Sequence, residues 1–326
     1  MRFSRKNSDK SPSYSGGWSD LDKVSGGSVC DNAHGPAFTY VAPRSMPMPV
    51  LIAVPHAGRR YPSETLANMR GEGMCQLRLE DRYVDKLGVE IAKLTGTGLL
   101  VAHAPRALLD LNRSQEDVDW DMIEGSPKPA QRHSSANRRA RSGLGLIPRR
   151  LPGFGEIWRE RLPREDLDAR IEQIHRPYHD FLGRELERIR DAWGAALLVD
   201  LHSMPPLRPQ TGQDRSPEIV LGDRFGASCH GKLVARAFRY LDAQGRPNAH
   251  NRPYSGGYVL DRHASPRRGV HAVQVEVCRS AYLDNRLSEP STNLVPLAKM
   301  LAGMVRELGA EVARLGTGGQ LPQAAE

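Results

Sequence analysis

From Pro49 to Leu315 the chain alternates two hydrophobic patterns: short unbroken apolar runs, and longer stretches in which apolar residues recur every three or four positions. The first suits strands buried on both faces and the second suits helices with one buried face, so their alternation predicts an α/β sheet with crossover helices. Pro49–Val54 (PVLIAV), Gly98–Ala102, Ala195–Asp200 (AALLVD), Pro217–Gly222 and Ala272–Val277 (AVQVEV) are the predicted strands. Glu80–Leu94 is a predicted helix built on Val84, Leu87, Ile91 and Leu94, and it begins at the acidic pair Glu80 and Asp81. Arg164–Trp193 carries Leu167, Ile171, Ile174, Tyr178, Leu182, Leu186 and Ile189 on one face, with a kink or break expected at Pro177. Cys229–Leu241 and Asn293–Leu315 complete the helices, while Ala107–Leu111 is expected to run extended towards Asn112.

Two regions fall outside this rhythm. Residues 1–37 are rich in Ser, Gly, Lys and Asp without apolar periodicity, so a disordered extension is expected, then a single domain over 38–316 and a flexible tail over 317–326. The stretch around 114–152 is long, polar and basic, and is expected to be a partly ordered insertion beside the site.

Composition narrows the class. A chain of 326 residues with 39% hydrophobic and 26% charged content can bury one substantial core. Nearly all of the net charge of +8 sits between Lys128 and Arg150, where Lys128, Arg132, Arg138, Arg139, Arg141, Arg149 and Arg150 meet no acidic residue. One basic insertion is more often a solvated loop than a nucleic-acid platform, so nucleic acid is not an expected partner, although the stretch could hold an anionic substrate. Cys30, Cys75, Cys229 and Cys278 include no close pair, which argues against a zinc knot or disulfide framework and fits a reducing cytoplasm. No apolar run approaches the roughly 20 residues that span a bilayer. The segment after Met1 lacks the apolar stretch of a signal peptide.

Ligands of open α/β sheets bind beyond the carboxyl ends of the strands, and three such ends carry polar residues here. Val54-Pro55-His56-Ala57-Gly58 leads a strand directly into a histidine, and Val199-Asp200-Leu201-His202-Ser203-Met204 does the same. A lone histidine in such a place is more often a hydrogen-bonded loop residue. Two are harder to set aside, because imidazole is a common ligand in catalytic zinc sites, which use three protein ligands and leave one position open. A third ligand should be a carboxylate or another histidine. Asp81 and Glu80 qualify, although carboxylates at a helix start more commonly partner its dipole, and Asp200 could instead orient an imidazole. At the third end, Val273, Val275 and Val277 share one face, so Gln274 and Glu276 point the other way. That face is solvent in an ordinary amphipathic strand. If it lines the site, Glu276 can deprotonate a water and pass the proton to a leaving amine.

Arginines supply anion-binding capacity. Arg106 and Arg113 bracket Ala107-Leu108-Leu109-Asp110-Leu111-Asn112, and Arg262 with His263 follows Ser255-Gly256-Gly257-Tyr258. A guanidinium can grip a carboxylate through two parallel hydrogen bonds.

Between Val54 and Tyr282 the runs VPHAGRRYP, EDRYVDKL, RALLDLNR, GLGLIPR, RPYHDFL, LLVDLHSMP, IVLGDRFGASC, GGYVLDRH and GVHAVQVEVCRSAY occur in an order that resembles the N-formylglutamate amidohydrolases, also called formylglutamate deformylases. The resemblance implies a zinc-peptidase-like fold, a three-layer sandwich with a mixed central sheet and helices on both faces. It also implies metal-dependent hydrolysis of the amide bond of an N-acyl acidic amino acid such as N-formylglutamate. Carried over by position, His56, Asp81 and His202 become the implied ligands of a divalent ion, with zinc expected. Glu276 becomes the water-activating base, and Arg113 matches a position that holds a substrate carboxylate, although as an arginine it could instead share the negative charge of a developing oxyanion. Arg106, Asn112 and Arg262, with Gly257 and His263 beside them, become substrate-binding positions. Zinc carboxypeptidases, distant relatives in fold, place a Glu three residues after the first His, where this chain has Arg59, so the carboxylate ligand must come from elsewhere. Ala57 stands where the family motif often has Ser. The rival readings are a deacylase or carboxypeptidase-like hydrolase of another N-acyl amino acid, and a catalytically silent protein whose Arg-rich segment binds nucleic acid or an acidic partner. The last leaves both strand-end histidines unexplained.

Overall fold

The computed structural model describes residues 21–29, 34–125, 139–209 and 215–318. The strands are β1 (Leu21–Gly26), β2 (Phe38–Pro43), β3 (Val50–Val54), β4 (Gly98–Ala102), β5 (Arg150–Leu151), β6 (Gly155–Glu156), β7 (Ala196–Met204), β8 (Ile219–Gly222), β9 (Asn248–His250) and β10 (Val270–Cys278). The helices are α1 (Ser63–Asn68), α2 (Glu72–Leu79), α3 (Val84–Thr95), α4 (Arg164–Arg170), α5 (Arg176–Trp193), α6 (Gly231–Ala243), α7 (Tyr258–His263) and α8 (Leu294–Thr317). β5 and β6 form a small separate hairpin, and the other strands make one eight-stranded sheet in the order β1-β2-β4-β3-β7-β10-β8-β9. The four central strands β4, β3, β7 and β10 are parallel, and β2 and β8 join them antiparallel.

Every residue of β3, β7 and β10 is buried, as their unbroken apolar runs require of strands covered on both faces. Val50, Ile52, Val54, Leu197, Val199, Leu201, Val273, Val275 and Val277 face one core, which is closed by α3, α6 and α8. Burying each such side chain stabilises the fold by about 1.5–3 kcal/mol. The opposite face meets a second core formed by α5, Ala104–Ile123 and Leu146–Leu162. The architecture is therefore a three-layer α/β sandwich with a mixed sheet. Among the described residues no helix is long and apolar enough to cross a membrane.

From β3 the chain crosses to β4 on one side, while β7 pairs on the other. That reversal is a topological switch point at the carboxyl ends of β3 and β7, the position at which open α/β sheets bind ligands.

Several local expectations are corrected. The ordered domain starts before Phe38, because Leu21–Gly26 pairs antiparallel with β2. Charged residues on both sides hide this strand from an apolar search. It is an edge strand held mainly by backbone pairing, and such edges commonly carry charge. Residues 1–20, 126–138 and 319–326 lie outside the described residues, so they include most of the expected extension, the centre of the basic insertion and most of the tail. Arg106–Leu108 turns rather than running extended, which folds Asp110 back towards the sheet. Glu80 and Asp81 do not start a helix: Glu80 caps the C-terminus of α2, and Asp81 lies in the link to α3. Around Pro177 the long helix does not break. One π-turn, Ile171–His175, joins α4 to α5, and Pro177 occupies the first turn of α5, where its missing N–H is tolerated. The Gln173 carbonyl that Pro177 cannot serve accepts the Ser28 N–H at 2.9 Å, which ties the segment after β1 to this helix.

Candidate metal centre

The carboxyl ends of β3 and β7 bring together His56, Asp81 and His202, all buried, with one candidate ligand atom from each lying within 4.8 Å of the others. His56 follows β3, and Gly58 lets that turn press against the chain, since a Cβ there would sit 2.0 Å from the Ala104 carbonyl oxygen. The Asp81 N–H donates to the His56 carbonyl at 3.0 Å, so the α2–α3 link is fastened to the end of β3. His202 lies within β7 itself, on the face opposite Val199 and Leu201. Arg59 turns away from the site and pairs through both Nη atoms with Asp85, at 3.0 and 2.8 Å, leaving the carboxylate position to Asp81.

Each imidazole is backed by its own carboxylate. His56 Nε2 donates to Asp110 Oδ1 at 2.7 Å, and His202 Nε2 donates to Asp200 Oδ2 at 3.0 Å. The Nδ1 atoms face Asp81 Oδ2, at 3.6 Å from His56 and 2.9 Å from His202. This is the carboxylate–histidine arrangement that fixes tautomer and ring direction in metal sites. Asp110 is held in turn by Arg106 Nε at 2.9 Å and by the Asn112 N–H at 2.8 Å. Nothing in the local sequence singles out Asp110, whose role arises from the turn at Arg106–Leu108.

The site's charges are strongly perturbed. Burial alone would raise the Asp81 carboxyl, but hydrogen bonds from His202 and His56 hold it far below the usual carboxylate range. Burial likewise opposes Asp110 ionising, and the charges of Arg106, His56 and Arg113 outweigh it and hold its carboxyl well below that range. His202 is pushed the other way: burial would lower it, and the carboxylates Asp200 and Asp81 raise it well above an ordinary histidine. Asp200 Oδ1 is buried without a hydrogen-bond partner. A water-excluded cluster with this many carboxylates, one of them carrying an orphaned oxygen, is suited to a cation. Its donor set of two imidazole nitrogens and one carboxylate oxygen fits zinc with an open position.

Glu276 stands opposite His202 in the parallel pairing of β10 with β7, and Gln274 stands opposite Asp200. That face of β10 is thus the site's wall rather than solvent. Gln274 Nε2 donates to Glu276 Oε1 at 2.8 Å. Burial pushes the Glu276 carboxyl up to about 7, with His202 opposing the rise and Asp81 adding to it.

The remaining predicted positions divide. Arg106 and Arg113 converge on Asp110 Oδ2, at 2.9 and 4.0 Å. Asn112 is occupied structurally, with Oδ1 accepting the Val259 N–H at 2.9 Å and Nδ2 directed to Gln274 Oε1 at 3.4 Å. Gly257 packs on that amide, because a Cβ there would lie 2.4 Å from Asn112 Oδ1. Arg262 is directed to Tyr258 Oη and Asp180, away from the three ligands. His263 is a half-buried neighbour of two buried imidazoles, His175 and His179, that support the Leu111–Arg113 backbone. His179 Nε2 donates to the Leu111 carbonyl and His175 Nε2 to that of Arg113, each at 2.9 Å. His179 Nδ1 must then accept from His263 Nε2, also at 2.9 Å.

Fold and site together define a three-layer α/β protein with a buried candidate metal centre. Residues 48–283 match the profile described as N-formylglutamate amidohydrolase. The chain is 31% identical to an N-formylglutamate deformylase of Pseudomonas putida over 264 residues, covering 80% of this chain and 91% of the relative. Identity to the Pseudomonas aeruginosa N-formylglutamate deformylase is 30% over the same coverage. The crystal structure of an N-formylglutamate amidohydrolase from Ralstonia eutropha JMP134 superposes with a TM-score of 0.73 at 28% identity, covering 87% of this chain and 99% of that one. The chain belongs to the N-formylglutamate amidohydrolase family.

Proposed function

We propose that this protein hydrolyses the amide bond of an N-formyl acidic amino acid, N-formylglutamate first among them, with a divalent cation, zinc, held by His56 Nδ1, Asp81 Oδ2 and His202 Nδ1. The observation that carries this reading is the convergence of those three atoms in one buried cluster, with Asp110 and Asp200 behind the imidazoles. A cation bound there supplies Lewis acidity towards the acyl carbonyl and lowers the pKa of water beside it.

The protein's own groups do the rest. Glu276 has one oxygen fixed by Gln274, leaving the other to take a proton from the attacking water and hand it to the departing nitrogen. Arg113 is directed by its Nε to the Leu144 carbonyl and by one Nη to the Asn112 carbonyl, which leaves the second Nη to face negative charge developing on the acyl oxygen. Arg106 uses only its Nε on Asp110, so its two Nη atoms are available for a substrate carboxylate. The deformylases to which the chain is similar support the choice of N-formylglutamate.

Formate release tests the reading. N-formyl-L-glutamate should turn over faster than N-acetylglutamate and faster than N-formylleucine. Equal or better turnover of the acetyl compound would assign a different acyl group, and absence of turnover on the whole panel would remove the hydrolase reading.

A further inference from the structure

The two oxygens of Asp81 face different partners. Oδ2 faces the two histidine Nδ1 atoms, whereas Oδ1 lies 3.6 Å from Nη2 of Arg279. Arg279 is buried, and Asp81 is the carboxylate within ion-pair reach of it among the described residues. Its guanidinium is also anchored on three sides. Nη1 donates to the Leu77 carbonyl at 2.9 Å, Nη2 to the Glu80 carbonyl, and Nε to Ser203 Oγ at 3.3 Å. These anchors come from the end of α2, from the link that carries Asp81 and from β7 beside His202, so the guanidinium is not free to retreat. A cation sharing both Asp81 oxygens would have to approach this fixed positive charge, and in a site of low dielectric that repulsion is strong.

We propose that Arg279 is a positioning residue that reserves Asp81 Oδ1, so that Asp81 holds the cation through Oδ2 alone. The inference rests on the metal reading above. One-oxygen binding keeps a coordination position open for water and the acyl oxygen, which a catalytic site requires and a closed structural site lacks. The guanidinium also draws charge from the carboxylate, which weakens it as a donor and leaves the ion more acidic.

The test loads the full chain with Co2+ and compares the visible d–d absorption of wild type, Arg279→Lys and Arg279→Met, alongside formate release. Wild type should show the intense band of a low-coordinate ion. Arg279→Met should bind one cobalt with a visibly weakened band, as Asp81 adds its second oxygen, and its kcat should fall about 10–100-fold. Arg279→Lys should recover part of both. An unchanged band in a cobalt-loaded Arg279→Met protein overturns this proposal while leaving the hydrolase reading intact, whereas a wild type that takes up no cobalt overturns both. If Arg279→Met does not fold, zinc X-ray absorption on wild type decides, because two carboxylate oxygens at the ion contradict the proposal and one supports it.

Discussion

Asp110 accepts the Nε2–H of His56 at 2.7 Å, and that bond turns the other ring nitrogen of His56 towards Asp81. Replacing Asp110 with Asn leaves the volume almost unchanged but removes the charge and offers an amide that can donate. Affinity for zinc should fall about 10–100-fold, as for other outer partners of metal-binding histidines. Competition titration against a chromophoric chelator measures this, and unaltered affinity would remove Asp110 from the support of His56.

Glu276 lies across from His202 and keeps one carboxylate oxygen unengaged by Gln274. Glu276→Gln should retain one equivalent of metal while turnover falls about 10²–10⁴-fold, the usual contribution of a positioned general base. Metal analysis and formate release on the same preparation separate this result from a loss of ligation.

Much of this site was legible in the chain. His56 and His202 stand out because each follows an apolar run that suits a strand buried on both faces, and the pairing of β10 with β7 places Glu276 beside them. Asp81 was harder to place, since the helical spacing of Val84, Leu87 and Ile91 ran back into Glu80 and Asp81 and concealed the link between α2 and α3. Asp110 lies inside the RALLDLNR run, but nothing in that run marks it as the partner of His56. Its position depends on a turn whose apolar residues, Ala107 and Leu108, also suit an extended segment, and only tertiary packing decides between them. Arg262 reads as an anion-binding residue in the chain, and in the fold one of its Nη atoms lies 3.2 Å from Asp180.

Gly257 touches the Asn112 amide so closely that a methyl group has no room. Gly257→Ala should destabilise the fold by about 1–3 kcal/mol, the usual range for overpacking, and raise KM as Asn112 and Arg113 shift. Urea unfolding and steady-state kinetics give the two readouts, and a variant unchanged in both would show that the contact yields without consequence.

His263 is kept uncharged, its pKa lowered to about 3 by burial and by the charges of Arg262 and His175. As pH falls below about 6.5 the unfolded chain binds a proton that the folded protein refuses, so stability declines through this window until the folded group itself titrates. His263→Gln can still donate to His179 but does not titrate. Its stability should therefore fall less steeply between pH 6 and pH 4, by up to about 1.4 kcal/mol per pH unit. Denaturant midpoints across that range check the slope, and parallel curves for the two proteins would contradict the assignment.

The central claim is that one cation, gathered by His56, Asp81 and His202, is indispensable for amide hydrolysis. The most direct measurement strips the wild-type protein with a chelator and follows formate release from N-formyl-L-glutamate as zinc is returned. Release should be absent from the stripped protein and should climb to a plateau at one equivalent per chain. Full turnover by protein verified to be metal-free would contradict the account.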